Sequence, residues 1–321
     1  MKLNLLENVR SACEAVAEKA TVVRINHDAL PAYASSLPVE QISTLKLDPE
    51  KHYLGQDYGT VAFFVTLDTI NFGSGYFPHM RKRPGMSGYF TVAASLNDYF
   101  KNHGPISPEK LTKLTVRECT DIFNQDPHNA PIQELMKHFA RALNDLGRYL
   151  IDSFRGSFIE LVEAAGSSAE RLVQILIEMP YFQDAAFYKE LRVPFYKRAQ
   201  LAAADLFTAF SGEGPGCFND LNGLTIFADN LVPHVLRIDN ILIYDADLVS
   251  RINRGELIPP GSPEEIEIRA CAVHAVELIK DELVKSGHRV TSVELDYLLW
   301  NRGQQLYYKS SPRHRARSVF Y

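Results

Sequence analysis

Positive charge, long apolar runs and paired cysteines are what this sequence has least of. Its 34 Lys and Arg are outnumbered by 39 Asp and Glu, for a net charge of -5. Wrapping a nucleic-acid backbone needs a basic face, so this balance argues against a nucleic-acid partner. It leaves room for a small anionic ligand held by a few local cations. The longest apolar run, Val61–Leu67, is far too short to span a bilayer. Cys13, Cys119, Cys217 and Cys271 are widely separated and form no C-x-x-C pair. Neither a zinc site nor a disulfide framework is signalled, and four scattered thiols suit a reducing compartment. The opening MKLNLLENVRSACEAVAEKA is amphipathic and broken by Glu7, Glu14 and Glu18, unlike a signal peptide. These features describe a soluble cytoplasmic protein with no membrane attachment. Chemical motifs are missing too: there is no serine nucleophile elbow and no H-E-x-x-H. The glycine-rich FGSGYF and SGEGPGCF fit neither a P-loop nor a dinucleotide fingerprint.

What is present is helical periodicity over 321 residues, enough chain for one large domain or two ordinary ones. Leu5, Leu6, Val9, Cys13, Val16 and Ala17 recur at helical spacing. A short helix over 28–34 and a linker over 37–49 follow. Thr60–Phe72 is apolar on nearly every side; its β-branched residues favour a strand, its neighbours a helix, and periodicity does not separate the two. Gly73, Gly75, Pro84, Gly85 and Gly88 mark a loop-rich stretch, with SGYFTV as a strand of a small β ribbon within 73–92. Helices are expected at 93–101, 107–111, 115–123, 132–152, 158–165 and 169–178. Further ones follow Pro194 and Pro233, then run over 247–254, 263–286 and 293–305. The fold class is mainly α: one compact domain, 1–321, with N-terminal helices 1–50 packing on a core 51–321.

Three acidic residues stand inside apolar stretches: Asp68 in TLDTINF, Asp229 in IFADNLV and Asp296 in ELDYLLWN. A carboxylate among apolar side chains costs free energy unless it is paired or used. The ordinary explanations are that Asp229 caps the helix beginning near Pro233 and that Asp296 pairs with a core arginine. Three such residues in one chain also fit a site that shifts a carboxyl pKa or steadies a developing cation. Trp300, the only tryptophan, and Asn301 lie one turn beyond Asp296 and Tyr297. Lys197 and Arg198 in PFYKRAQ, and the arginines of the basic tail, are either solvated charges or a phosphate clamp. His52, in KHYLG, taken alone reads as structural.

The segments LDTINF, SGYF, YKRAQ, FADNLVP, EIEIRACAVHAVELI, LDYLLWN and HRARSVFY occur in this order over about His52–Tyr321. Together they resemble the queuosine salvage protein family of queuosine 5′-phosphate N-glycosylase/hydrolases. The resemblance implies a fold similar to helix-hairpin-helix DNA glycosylases. It implies release of the base queuine from its nucleotide with no metal and no organic cofactor. It further implies that Phe227 and Asp229 bind the base, that Asp296 and Tyr297 form the LDY motif, and that His52 and Asn71 contact substrate. Some relatives carry Asp in place of Asn301, and FSFW in place of FGSG after Asn71, which bears on base recognition.

Such a substrate makes separate demands. The flat base wants an aromatic platform, Phe227 or Trp300. Its guanine-like edge offers donors to a carboxylate such as Asp229. The phosphate wants Lys197, helped by His52 or a tail arginine. Glycosidic cleavage passes through an oxocarbenium-like state that an ionised carboxylate stabilises. A deazapurine has carbon where guanine has its easily protonated ring nitrogen, so two carboxylates are expected: Asp296 on the ribose side and Asp229 on the base side. The helix-hairpin-helix analogy gives the reverse assignment. The competing functions are a DNA glycosylase of that architecture and a non-catalytic binder of modified nucleobases.

Overall fold

The protein is described by a computed structural model covering residues 4–42, 47–55 and 58–321. Part of the expected 37–49 linker lies outside the described residues. In chain order come α1 (Leu5–Ala17), β1 (Val23–Ile25), α2 (Leu30–Ser36), α3 (Tyr58–Thr69), α4 (Gly88–His103), α5 (Pro108–Leu111), α6 (Val116–Ile122), α7 (Ala130–Phe154), α8 (Phe158–Glu163) and α9 (Ala169–Leu176). Then follow β2 (Ala185–Tyr188), β3 (Leu191–Pro194), α10 (Lys197–Ala209), α11 (Val232–Ile238), β4 (Leu242–Tyr244) and α12 (Ala246–Asn253). The last elements are α13 (Pro263–Lys285), α14 (Ser292–Arg302) and α15 (Leu306–Lys309). The architecture is mainly α.

Two local expectations are resolved by packing. The ambiguous run at 60–72 is helical as far as Thr69 and irregular beyond it: α3 buries every residue from Gly59 to Thr69, and a helix sealed on all sides needs no amphipathic stripe. The ribbon expected within 73–92 is not there, and the strand reading of SGYFTV is corrected. Ser87 accepts the Phe90 N–H through its hydroxyl and so caps α4. Gly88, the first residue of α4, lies against the Phe77 ring, where a Cβ would approach within 2.3 Å. The described strands lie elsewhere. β1 pairs antiparallel with β4, with Val23 opposite Tyr244, and β2 with β3 in a hairpin whose turn residue Lys189 adopts φ 55°.

The chain divides into two compact units. The first comprises Met1–Leu45, Asp184–Lys197 and Asn222–Arg317. Its axis is α13, started by Ser262 accepting the Glu265 N–H and by Pro263 in the first turn. Against α13 pack α1, α2, β1, α11 and α14. α1 contributes the expected stripe of Leu6, Val9, Cys13 and Val16, all buried. α13 carries Glu265, Glu267 and Arg269 fully into this interior. Glu267 accepts the backbone N–H groups of Thr21 (2.9 Å), Val22 (2.8 Å) and Val23 (3.0 Å). It also accepts the hydroxyls of Thr21 (3.1 Å) and Tyr188 (2.8 Å), so one carboxylate ties the α1–β1 turn and the β2–β3 hairpin to α13.

The second unit comprises Lys46–Gln183, Arg198–Leu221 and Ser318–Tyr321. Here α7 packs on α5, α6 and α8, and α3 on α4, α7 and α8. Arg198, 2% exposed, sits at the C-terminal end of α3 and donates to the carbonyls of Asp68 (2.9 Å), Thr69 (2.5 Å), Tyr181 and Val319 (3.0 Å). Its guanidinium also lies 4.8 Å from the ring centroids of both Phe72 and Phe182. A cation satisfying helix-terminal carbonyls is favourable, and Arg198 is therefore a structural anchor of this unit.

Replacing Glu267 by Ala strips acceptors from three backbone N–H groups and two hydroxyls. Each buried group left unmade costs about 1–3 kcal/mol, so a total loss of at least about 3 kcal/mol is expected. Urea unfolding checks this: the midpoint should drop sharply for Glu267→Ala and by less for Glu267→Gln, which keeps one acceptor oxygen.

Candidate active site

In the first unit a buried turn, Leu224–Ala228, runs into α11, and α14 lies beside it. The register of α14 is set by a capping box in which Thr291 and Glu294 satisfy each other's backbone N–H groups. That register turns Leu295, Asp296 and Leu299 inward. The end of α14 comes close to the turn at Gly303, where a Cβ would sit 2.8 Å from Leu231 Cδ1.

Asp296, 3% exposed, accepts the Phe227 N–H at 2.8 Å. Its hydrogen-bond partner is thus the turn backbone rather than a core arginine. Two residues further, Asp229 accepts the N–H groups of Leu231 (2.7 Å) and Val232 (3.2 Å) through one oxygen. Asp229 is not the N-cap residue, which is Leu231; it closes the turn that leads into α11, whose first turn holds Pro233. These turn bonds occupy Oδ1 of a half-buried side chain and do not exclude a second role for it. Phe227 is buried, and its ring meets Tyr297 at 6.1 Å between centroids and 63° between planes. Trp300, one turn beyond Asp296, is half-buried; Asn301 is exposed.

The two carboxylates sense each other. Burial, followed by the negative charge of Asp229, pushes the Asp296 carboxyl well above the ordinary carboxylate range. The Phe227 N–H and the charge of Lys197 pull the other way without cancelling this. Lys197, 7% exposed, opens α10, and its N–H donates to Asp184 at 3.1 Å. The exposed Arg313, on the C-terminal segment, also lies in the field of Asp229. That segment is fastened within the unit: Asn230 Nδ2 donates to the His314 carbonyl at 3.4 Å and Ile258 N–H to that of Arg315 at 2.8 Å.

The remaining candidates belong to the second unit. His52 is buried, with Nδ1 3.2 Å from the Asp48 carbonyl and Nε2 3.2 Å from the Tyr89 hydroxyl. Burial lowers its pKa to about 4, so near neutral pH it is an uncharged hydrogen-bonding group. Asn71 donates to the Asp68 carboxylate at 3.3 Å. Of the adjacent cations in PFYKRAQ, Lys197 acts on Asp296, while Arg198 is consumed by backbone carbonyls.

Sequence reasoning passed over Arg269 and Asp184. Arg269 donates to Asp184 through Nη1 (3.0 Å) and Nη2 (2.6 Å), to the Ala228 carbonyl through Nε (3.0 Å), and to Glu265 at 3.4 Å. The available signal was weak: Glu265 and Arg269 stand at i,i+4 in a helix that carries charges along much of its length.

A family model described as queuosine salvage protein matches residues 51–321, a span that holds every candidate above. The chain belongs to the queuosine salvage protein family. Its similarity extends beyond that span. It is 36% identical over 311 residues to the queuosine 5′-phosphate N-glycosylase/hydrolase of Sphaerobacter thermophilus, covering 95% of both chains. It is 33% identical over 338 residues to the protein of that name from Mus musculus, covering 97% of this chain and 98% of the mouse chain. Identity to the Dictyostelium discoideum protein of that name is 30%, over 99% of this chain and all of that one (100%). Among the described residues no helix is long and apolar enough to cross a membrane, and no three His, Cys, Asp or Glu side chains cluster as a metal site.

The raised Asp296 pKa carries a stability signature. Unfolded, the residue titrates near pH 4; folded, it does so higher, so its stabilising contribution is complete below about pH 4 and is lost as pH rises through the folded value. Asp296→Asn removes that loss. The variant should gain stability over the wild type as pH rises, at about 1.4 kcal/mol per pH unit inside the window, with no gain at pH 4. Urea midpoints measured from pH 4 to 8 check this; a difference independent of pH would contradict it.

Proposed function

We propose that this protein hydrolyses the N-glycosidic bond of queuosine 5′-phosphate, releasing queuine for reuse in tRNA modification. The observation that carries the proposal is a buried carboxyl, Asp296, opposed by the charge of Asp229 beside the Phe227–Tyr297 aromatic pair. The relatives named for this activity support it across the whole length of the chain. In this reading the enzyme works in the cytoplasm on a free nucleotide and uses no nucleic-acid partner, metal or organic cofactor.

The chemistry follows from the residues. The bond between the anomeric carbon and the base nitrogen breaks with its electron pair going to the base, leaving positive charge on the sugar. Asp296 stands on the ribose side. A carboxyl pushed toward neutrality is a stronger base than an ordinary one, which suits it to take a proton from the attacking water. The water oxygen joins the anomeric carbon, the base nitrogen gains a proton from solvent as Asp296 returns its own to solvent, and ribose 5-phosphate and queuine leave. Asp229 stands on the base side, accepting the donors of the guanine-like edge. Phe227 and Tyr297, with Trp300, supply the aromatic platform. Lys197 pairs with the phosphate. Asn301 contributes hydrogen bonds rather than charge; His52 and Asn71 are substrate contacts only as the family resemblance implies, His52 being uncharged near neutral pH.

Incubating the protein with queuosine 5′-phosphate and following free queuine by mass spectrometry tests the reaction. Release of stoichiometric queuine over many turnovers is expected; binding without release would identify a nucleobase carrier instead. Asp296→Asn should lower kcat by about 10²-fold or more, the scale of a lost general base, while still binding queuine.

The pH profile gives a sharper test. If Asp296 must be ionised to act, kcat/KM should fall on the acid side at a pH above the ordinary carboxylate value near 4. Asp229→Asn removes the repelling charge and should move that limb to lower pH in the residual activity. Lys197→Met removes an opposing positive charge and should move it higher. An acid limb that stays fixed in both variants would take Asp296 out of the role.

A further inference from the structure

A path of hydrogen bonds joined by short stretches of backbone runs from the Lys197 main chain to the 227–229 turn that carries Asp229 and holds Asp296, and none of its inner members faces substrate in the proposed assignment. It begins at the Lys197 N–H, which donates to Asp184 Oδ2 at 3.1 Å. Asp184 is held from the other side by two guanidinium nitrogens of Arg269, at 3.0 and 2.6 Å. Asp184 also accepts the Phe195 and Tyr196 N–H groups on its own carbonyl, at 2.9 and 3.1 Å, so the approach to α10 is fixed at three points. Arg269 Nε donates to the Ala228 carbonyl at 3.0 Å. Ala228 lies between Phe227, whose N–H holds Asp296, and Asp229. The guanidinium is clamped further by Glu265 and by the Phe195 ring, whose centroid is 3.9 Å away. Arg269 is 2% and Asp184 3% exposed.

Physical chemistry explains why an arginine stands here. Its planar fork offers several donors in fixed directions, so one side chain can pin a carboxylate and a peptide carbonyl at once. Lysine has the charge but not the geometry. Stability alone does not require the pair, because a buried ion pair is often no better than apolar residues of the same volume. A tie that fixes the distance from Lys197 to both carboxylates, by contrast, sets the quantity on which reaction rate depends most steeply.

We propose that Arg269 and Asp184 are positioning residues that hold Lys197, Asp229 and Asp296 in register with one another. The proposal rests on the hydrolase reading for its kinetic consequence but not for its structural one. Arg269→Lys, which keeps the positive charge, is the test, read in two ways on the full-length protein. Hydrogen exchange needs no substrate: the amides of residues 226–231 should exchange about tenfold faster or more, the factor that a charge-assisted hydrogen bond represents. Turnover of queuosine 5′-phosphate should fall on the order of 10²-fold in kcat with its thermal midpoint largely kept, as expected for a misplaced site rather than a melted fold. If Arg269→Lys does not fold, Asp184→Glu, which keeps the buried charge but shifts the carboxylate, takes its place with the same two readouts.

Wild-type exchange together with wild-type kcat in the folded variant overturns the proposal. Faster exchange with unchanged kcat overturns it as well, by reducing the pair to local packing. A wild-type protein that releases no queuine brings down the hydrolase reading alone, and the exchange result then still decides whether the tie exists.

Discussion

The geometry of the site-bearing unit depends on a charge that cannot leave. Arg269 is enclosed by α13, the 227–230 turn and the segment before α10, and its guanidinium stays ionised at any pH the fold tolerates. Breaking a buried pair by removing one partner leaves the other charge uncompensated, at a cost of about 3–5 kcal/mol. Asp184, Glu265 and the Ala228 carbonyl must therefore all stay near it, and each sits on a different stretch of chain. Glu267, two residues earlier on α13, does the same with opposite polarity by collecting N–H groups from the α1–β1 turn. Helix α13 thus organises its surroundings through polar side chains inside an apolar core, which specify position more sharply than apolar contacts of equal area.

Within that frame the two carboxylates are placed in conflict. Folding seals Asp296 from water and sets it in the field of Asp229, both of which oppose its ionisation. An apolar residue at position 296 would relieve that conflict and lose the Phe227 N–H acceptor with it. That N–H keeps the side chain in a fixed orientation while burial and Asp229 raise the proton affinity of its carboxylate. Destabilised groups of this kind are ordinary at sites of chemistry, where stability and function pull apart.

How far these features can be read from sequence depends on their range. The helices were legible because their signals are local: periodic apolar residues in α1, Ser262 followed by Pro263 at α13, and Thr291 with Glu294 at α14. SGYFTV misled because aromatic and β-branched residues favour strands, whereas the serine before them is a cap whose partner is three residues on. Asp229 and Asp296 were legible as acidic residues in apolar stretches, but their coupling spans 67 positions and needed coordinates. Arg269 was hidden for the converse reason. A lone arginine on a helix normally marks a solvated face, and only its pairing with Asp184, far off in sequence, shows that it is interior.

Adjacent residues also part company in a way that charge alone does not anticipate. Lys197 and Arg198 carry the same formal charge, yet one acts on Asp296 and the other fills the C-terminal end of α3. The difference follows from donor count. Four carbonyls demand a branched, multi-donor group, whereas a lysine ammonium acts on its neighbours as a compact point charge. A similar argument applies to the segment preceding the matched family region. Arg10 on α1 donates to the carbonyls of Gly223 (2.8 Å) and Leu224 (3.1 Å), at the entrance to the turn that carries Phe227 and Asp229, and pairs with Glu277 on α13 at 3.2 Å. Residues outside the 51–321 span therefore help to hold the turn, and the site-bearing unit is incomplete without them.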